Sequence, residues 1–167
     1  MKYVLSTLVF LSAVIPVQAE ATCNASASRA WVGGTTIEAF AQGPTCEKAV
    51  VTLVIRNKAG NPLFMQVHDT AFLMNFTQAP AANAKALGAT LKDWISGGGF
   101  MTSADKLVVD SEFPFTVDEG VDKATFAKYR KAKLPLFCYI QGMESGNCLV
   151  LDKDGVVVDL GVQIFPG

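Results

Sequence analysis

The residues predict an α+β fold: a mostly antiparallel sheet made of two hairpin groups, with two helices on one side and disulfide links bracing it. Three observations carry that expectation. Runs rich in β-branched residues, each followed by a turn-forming segment, occupy both residues 49–72 and residues 136–165. Two stretches between them switch to helical spacing, and all the cysteines lie beyond an export leader.

Residues 1–19, MKYVLSTLVFLSAVIPVQA, have Lys2 beside the start, an apolar run over 3–15, a break at Pro16 and small residues up to Ala19. This is the layout of a secretory signal peptide cleaved after Ala19. The run falls short of the roughly 20 apolar residues that a spanning helix needs, so membrane contact is expected only during export. Taking 19 residues from 167 leaves 148, residues 20–167, the size of a single α+β domain with its own core. Loss of Lys2 leaves thirteen basic and fifteen acidic residues, a formal charge of −2. With no Lys/Arg stripe interleaved with aromatics, a nucleic-acid partner is not expected.

Cys23, Cys46, Cys138 and Cys148 form an even set in an oxidising compartment, which reads as two disulfides. Three pairings are open, and local separation favours Cys23 with Cys46 and Cys138 with Cys148. No Cys-x-x-Cys occurs and the chain has one histidine, so no metal site is expected.

After a small polar opening segment, residues 49–55 (AVVTLVI) read as a strand, residues 56–62 as a turn around Gly60 and Asn61-Pro62, and residues 63–72 as the partner strand. In that partner Met65 and Val67 share one face while Gln66, His68 and Thr70 share the other, and the alternation puts His68 on the wetter side. Residues 83–96 form the first helix, with Leu87, Leu91, Trp94 and Ile95 on one face. Asn83 is positioned to cap its start and Gly97 to end it in a left-handed conformation. Gly97-Gly98-Gly99 reads as a surface loop, since a phosphate cradle feeds into a helix N-terminus and these glycines follow a C-terminus.

Residues 105–122 carry six acidic side chains against Lys106, and residues 123–133 then carry five basic ones and no acid. Asp122 as N-cap, a Val121–Phe126 staple and cations in the last turns describe a solvated second helix, with a docking patch for an anionic partner as the alternative. Pro135 is expected to end it. A three-stranded meander follows over 136–141, 147–151 and 156–165. Its last strand places Val156, Val158, Leu160, Val162 and Ile164 on one face and Asp159 and Gln163 on the other.

Chemistry is most nearly spelled by residues 136–151, LFCYIQGMESGNCLVL. A nucleophile elbow centred on Ser145 fails, because Gly142 lies three residues before it, Gly146 one after, and a strand rather than a helix follows. A hairpin with Cys138 opposite Cys148 fits: Met143 falls at the tip, Gln141 opposite Ser145 and Leu136 opposite Val150. Opposed strand residues have Cβ atoms roughly 4.5 to 5.5 Å apart, close to what a disulfide closes. A tip so braced, presenting Met143, Glu144 and Ser145, loses little entropy on docking into a partner's cleft, which is how a secreted inhibitor works.

His68 is the remaining candidate for acid–base catalysis, although Asp69 beside it points to the opposite face of the strand. Asp152-Lys153-Asp154-Gly155 reads as a tight turn, because calcium ligands are missing at Val150 and Gly161. Asn24-Ala25-Ser26 and Asn75-Phe76-Thr77 match the glycosylation sequon. No motif assembles a nucleophile, a metal or a cofactor site. The expectation is therefore a periplasmic or secreted, non-catalytic binding module without a cofactor, meeting a protein or small ligand in the envelope. The alternatives are a small hydrolase centred on His68 and a thiol/disulfide-active protein using Cys138 and Cys148.

Overall fold

A computed structural model describes residues 22–97 and 102–165. The leader expected over residues 1–19, and Gly98 and Gly99 of the glycine loop, lie outside the described residues. The opening segment that reads as merely polar forms two strands, β1 (Cys23–Ala30) and β2 (Thr36–Gly43). Along β1 the exposed Asn24, Ser26 and Ser28 alternate with half-buried Ala25 and Ala27. These alanines do not signal a strand by propensity; their use is in packing, since a Cβ placed on Gly88 of the helix above would lie 3.9 Å from that of Ala25.

The expected hairpin over residues 49–72 is β3 (Val50–Arg56) and β4 (Pro62–Asp69). Its turn is closed by the Asn57 carboxamide oxygen, which accepts from the backbone N–H groups of Ala59 and Asn61, each at 3.0 Å. Together these strands make a four-stranded antiparallel sheet in the order β1-β2-β3-β4. Beyond β4 the Asp69 carboxylate accepts from Ala71 N–H at 2.9 Å and starts a short 3-10 turn over Thr70–Phe72.

The helices are α1 (Met74–Thr77), α2 (Ala84–Ser96) and α3 (Lys123–Lys131). Asn83 caps α2 by accepting from Ala86 N–H at 3.0 Å, and Gly97 ends it at φ 78°. A Cβ on Gly97 would stand 2.8 Å from the Cys138 carbonyl oxygen, so the helix end is tied closely to the neighbouring sheet. Asp122 caps α3 through Ala124 and Thr125 N–H at 2.8 and 3.0 Å. Pro135 does not end this helix. α3 closes at Lys131, where Lys133 takes a left-handed φ of 50° and donates its N–H to Arg130 O. Pro135 instead bridges Ser103.

The second sheet contains β5 (Phe115–Val117), β6 (Leu136–Ile140), β7 (Ser145–Leu151) and β8 (Val157–Ile164), in the order β5-β8-β7-β6, all antiparallel. The meander is as expected, and β5 is added to its edge. The even alternation of β8 is corrected. Its register with β7 shifts between Cys148 and Leu149, so that Leu149 faces Asp159 and Cys148 faces Gly161. Beyond this bulge the faces exchange: Gln163 is buried and Ile164 exposed. Gly161 sits at φ 123°, and a Cβ there would stand 2.1 Å from Thr116 O, which is how β5 approaches closely enough to pair.

Two apolar cores lie on the two faces of this second sheet. The first joins Leu53 and Ile55 of β3, Leu91 and Trp94 of α2, and Phe137 and Tyr139 of β6. The second gathers Cys138, Cys148, Val150 and Leu160 with Phe115 and, from α3, Phe126. The fold is α+β and mostly antiparallel sheet; the two longer helices, expected together on one side, each serve a different core. No helix among the described residues is long and apolar enough to cross a membrane.

Candidate functional site

The β6–β7 hairpin has the expected register: Leu136 opposite Val150, Cys138 opposite Cys148 and Ile140 opposite Gly146. Cys138 and Cys148 form a disulfide with Cα atoms 4.0 Å apart, and Cys23 pairs with Cys46 at 5.0 Å. Gln141 N–H donates to Ser145 O at 3.0 Å and closes the loop. Two further hydrogen bonds hold the tip from either side, Met74 N–H to Gly142 O at 3.3 Å and Phe165 N–H to Glu144 O at 3.1 Å. The Thr77 hydroxyl also donates to the Met143 sulfur at 3.6 Å. Met143 is 49 % exposed, and Glu144 beside it is exposed too. Ser145 recedes: it is half-buried, begins β7 and pairs with Ile164.

His68 faces the other way from the sequence expectation. Met65 and Val67 are 64 % and 60 % exposed, whereas His68 is half-buried and meets Trp94 and Tyr139 edge to face, with ring centroids 5.7 Å away in both cases. The inward face of β4 opposes polar groups of the second sheet, and a buried hydroxyl there needs an acceptor. Gln66 provides it, accepting from the Tyr139 phenol. With β4 at the sheet edge, Met65 and Val67 are left on the outer surface.

From Tyr139 the polar chain continues inward. Asn147 Nδ2 donates to the Tyr139 oxygen at 3.3 Å and to Asp159 Oδ2 at 2.8 Å, and Gly161 N–H reaches Asp159 Oδ1 at 3.0 Å. Burial pushes the Asp159 carboxyl above its ordinary range, partly opposed by the donors Asn147 and Gly161. Burial likewise raises the Tyr139 phenol, which keeps its proton at any physiological pH. The His68 imidazole is pushed down by desolvation, and its Nε2 is buried without a hydrogen-bond partner among the described residues. The imidazole, biased toward its neutral form, fits between the aromatic edges of Trp94 and Tyr139 and so packs the two sheets together. Asp69 is committed to Ala71 N–H.

Gln66, Tyr139, Asn147 and Asp159 were not singled out by their sequence pattern. The available signal was Asn147 and Asp159, polar positions inside otherwise apolar strands. Asp152 behaves as the expected turn residue, accepting from Asp154 and Val156 N–H at 2.8 Å each. Among the described residues, no group of three or more His, Cys, Asp and Glu side chains is placed to hold a metal ion.

Beside the tip lies a cavity of about 250 Å³ lined by Met74, Asn75, Trp94, Ile140 and Phe165. A larger one, of about 520 Å³, opens between β5 and α3. His68 lines neither. Compared with protein-family models, with curated proteins and with solved structures, the chain matches none of them.

Proposed function

We propose that this chain is an exported, non-catalytic binding module that docks the tip of its β6–β7 hairpin, Met143 with Glu144 and Ser145 behind it, into the cleft of a protein partner in the envelope or outside the cell. The observation that carries this reading is Met143 itself. It remains half-exposed on a loop fixed by a disulfide at its base and by backbone hydrogen bonds from Met74 and Phe165 at its sides. A braced loop gives up little backbone freedom on binding, and the methionine it carries uses its own rotamer freedom to adapt its shape to an irregular pocket. Two disulfides suit an oxidising compartment, as the leader does.

The His68 hydrolase has weaker support, since that imidazole faces aromatic edges and its Nε2 contacts no hydroxyl or carboxylate. Thiol exchange at Cys138 and Cys148 has weaker support as well, since both sit inside the second core and show almost no surface to an attacking thiolate. The test is affinity capture from envelope extract of the native host with the wild-type chain, with M143D and with K58D on the far hairpin, followed by titration of the captured protein. A partner retained by K58D and lost by M143D supports the reading; one retained equally by all three removes the tip from it.

A further inference from the structure

The cavity between β5 and α3 has no part in the hairpin reading. Its floor is apolar: Phe115 and Phe126 stack with centroids 6.0 Å apart and planes within 3°, and Val117 and Val121 complete it. Its wall is one face of α3, where Lys123, Phe126 and Arg130 follow each other at i, i+3 and i+7. The Arg130 guanidinium lies 5.8 Å from the centre of the Phe126 ring, over the apolar floor, and its Nε is buried with no hydrogen-bond partner. Neither Arg130 nor Lys123 forms an ion pair among the described residues. Of the two rim carboxylates, Asp118 is turned to accept from Gly120 N–H at 2.8 Å, and Glu119 is exposed.

A volume of about 520 Å³ falls within the range of small-ligand pockets, roughly 300 to 1,000 Å³. Apolar walls ask for an apolar body, and a guanidinium with no ion pair among the described residues asks for an acceptor with two oxygens in a plane. We propose that the cavity between β5 and α3 binds a free amphiphile with a short hydrocarbon body and a carboxylate head, the body resting on Phe115 and Phe126 and the head engaging Arg130. Lys123, about two turns toward the start of the helix, adds a second positive charge at the mouth. Seating the hydrocarbon body against this floor removes the body from water, and the head supplies the charged partner that the Arg130 guanidinium lacks among the described residues.

The test is calorimetric titration of the mature, disulfide-bonded chain with decanoate, with decanol as the headless control and decyltrimethylammonium as the opposite charge. Decanoate is expected to bind saturably at one site per chain, and at least about tenfold more weakly to R130Q, the loss expected for a charge-assisted hydrogen bond. Decanol binding should be the same for both. A second variant, V109E, places a carboxylate at the exposed mouth residue Val109, where it leaves both cores untouched. It should weaken decanoate and strengthen decyltrimethylammonium. Absence of saturable decanoate binding, or equal decanoate affinity in wild type, R130Q and V109E, overturns the proposal. So does co-sedimentation with anionic phospholipid vesicles that R130Q abolishes while decanoate fails to bind, which would make the face a membrane contact.

Discussion

Tyr139 of β6 donates its phenolic hydrogen to the Gln66 carboxamide of β4, joining the edge of the first sheet to the second. This polar contact sits in an otherwise apolar core, with Asn147 donating to the same phenol oxygen. Y139F removes the hydroxyl, keeps the ring stacked on Phe137, and leaves the Gln66 oxygen unpaired. The expected loss is about 1 to 3 kcal/mol in urea unfolding with an unchanged m-value.

His68 contributes a loss of stability as the pH falls from neutral. Its ordinary pKa is 6.5 and burial lowers it in the folded chain. Above 6.5 both folded and unfolded chains hold a neutral imidazole and the contribution is complete. As the pH falls the unfolded chain takes up the proton first, and stability is lost down to the folded pKa. Asp159, raised by burial, works in the opposite sense, stabilising at acid pH and losing that contribution as pH rises through its folded pKa. H68F retains an aromatic edge against Trp94 and Tyr139 and removes the titration. Wild type should lose melting temperature relative to H68F between about pH 7.5 and 5.5; a constant difference would show that His68 is solvated in the fold.

Gly161 is where the bulge in β8 lets β5 pair. G161A adds a methyl group against the Thr116 carbonyl at a φ of 123°. The expected cost exceeds about 3 kcal/mol. Amide exchange at Asp118, whose N–H donates to Leu160 O at 2.9 Å, should accelerate more than exchange in the first sheet.

The two disulfides close chain segments of different length, with cysteines 10 and 23 positions apart. Chain entropy sets the cost of C138A/C148A at about 2 to 3 kcal/mol and that of C23A/C46A slightly higher, near 3. Denaturant unfolding of the two double variants checks the order.

What could be read from the sequence was what is decided locally. Asn83 and Asp122 cap their helices, residues 56–62 and 152–155 make their turns, and Cys138 meets Cys148, because each depends on residues a few positions away or on the register of one hairpin. β1 escaped because alanine and serine carry no strand signal, and β2 because Thr36, Ile37 and Phe40 are diluted by Glu38, Ala39 and Ala41; the inward alanines matter only once α2 packs on them. The face of His68 was misread because its partners, Trp94 and Tyr139, belong to a helix and a strand far along the chain. The bulge in β8 depends on Thr116, which no alternation pattern in residues 156–165 reveals. At the tip, the register that puts Met143 outermost was legible, while its anchoring by Met74 and Phe165 was not.

The role of the tip is tested most directly by a photo-crosslinking amino acid placed at position 143, and separately at 58, in the full 167-residue chain expressed in the native host. The expected result is a discrete crosslinked species of higher mass from position 143 in the exported fraction, absent from position 58 and lost when the mature wild-type chain is added in excess. The contradicting result is the same set of products from both positions, or none from position 143 while the chain is exported and both disulfides are formed.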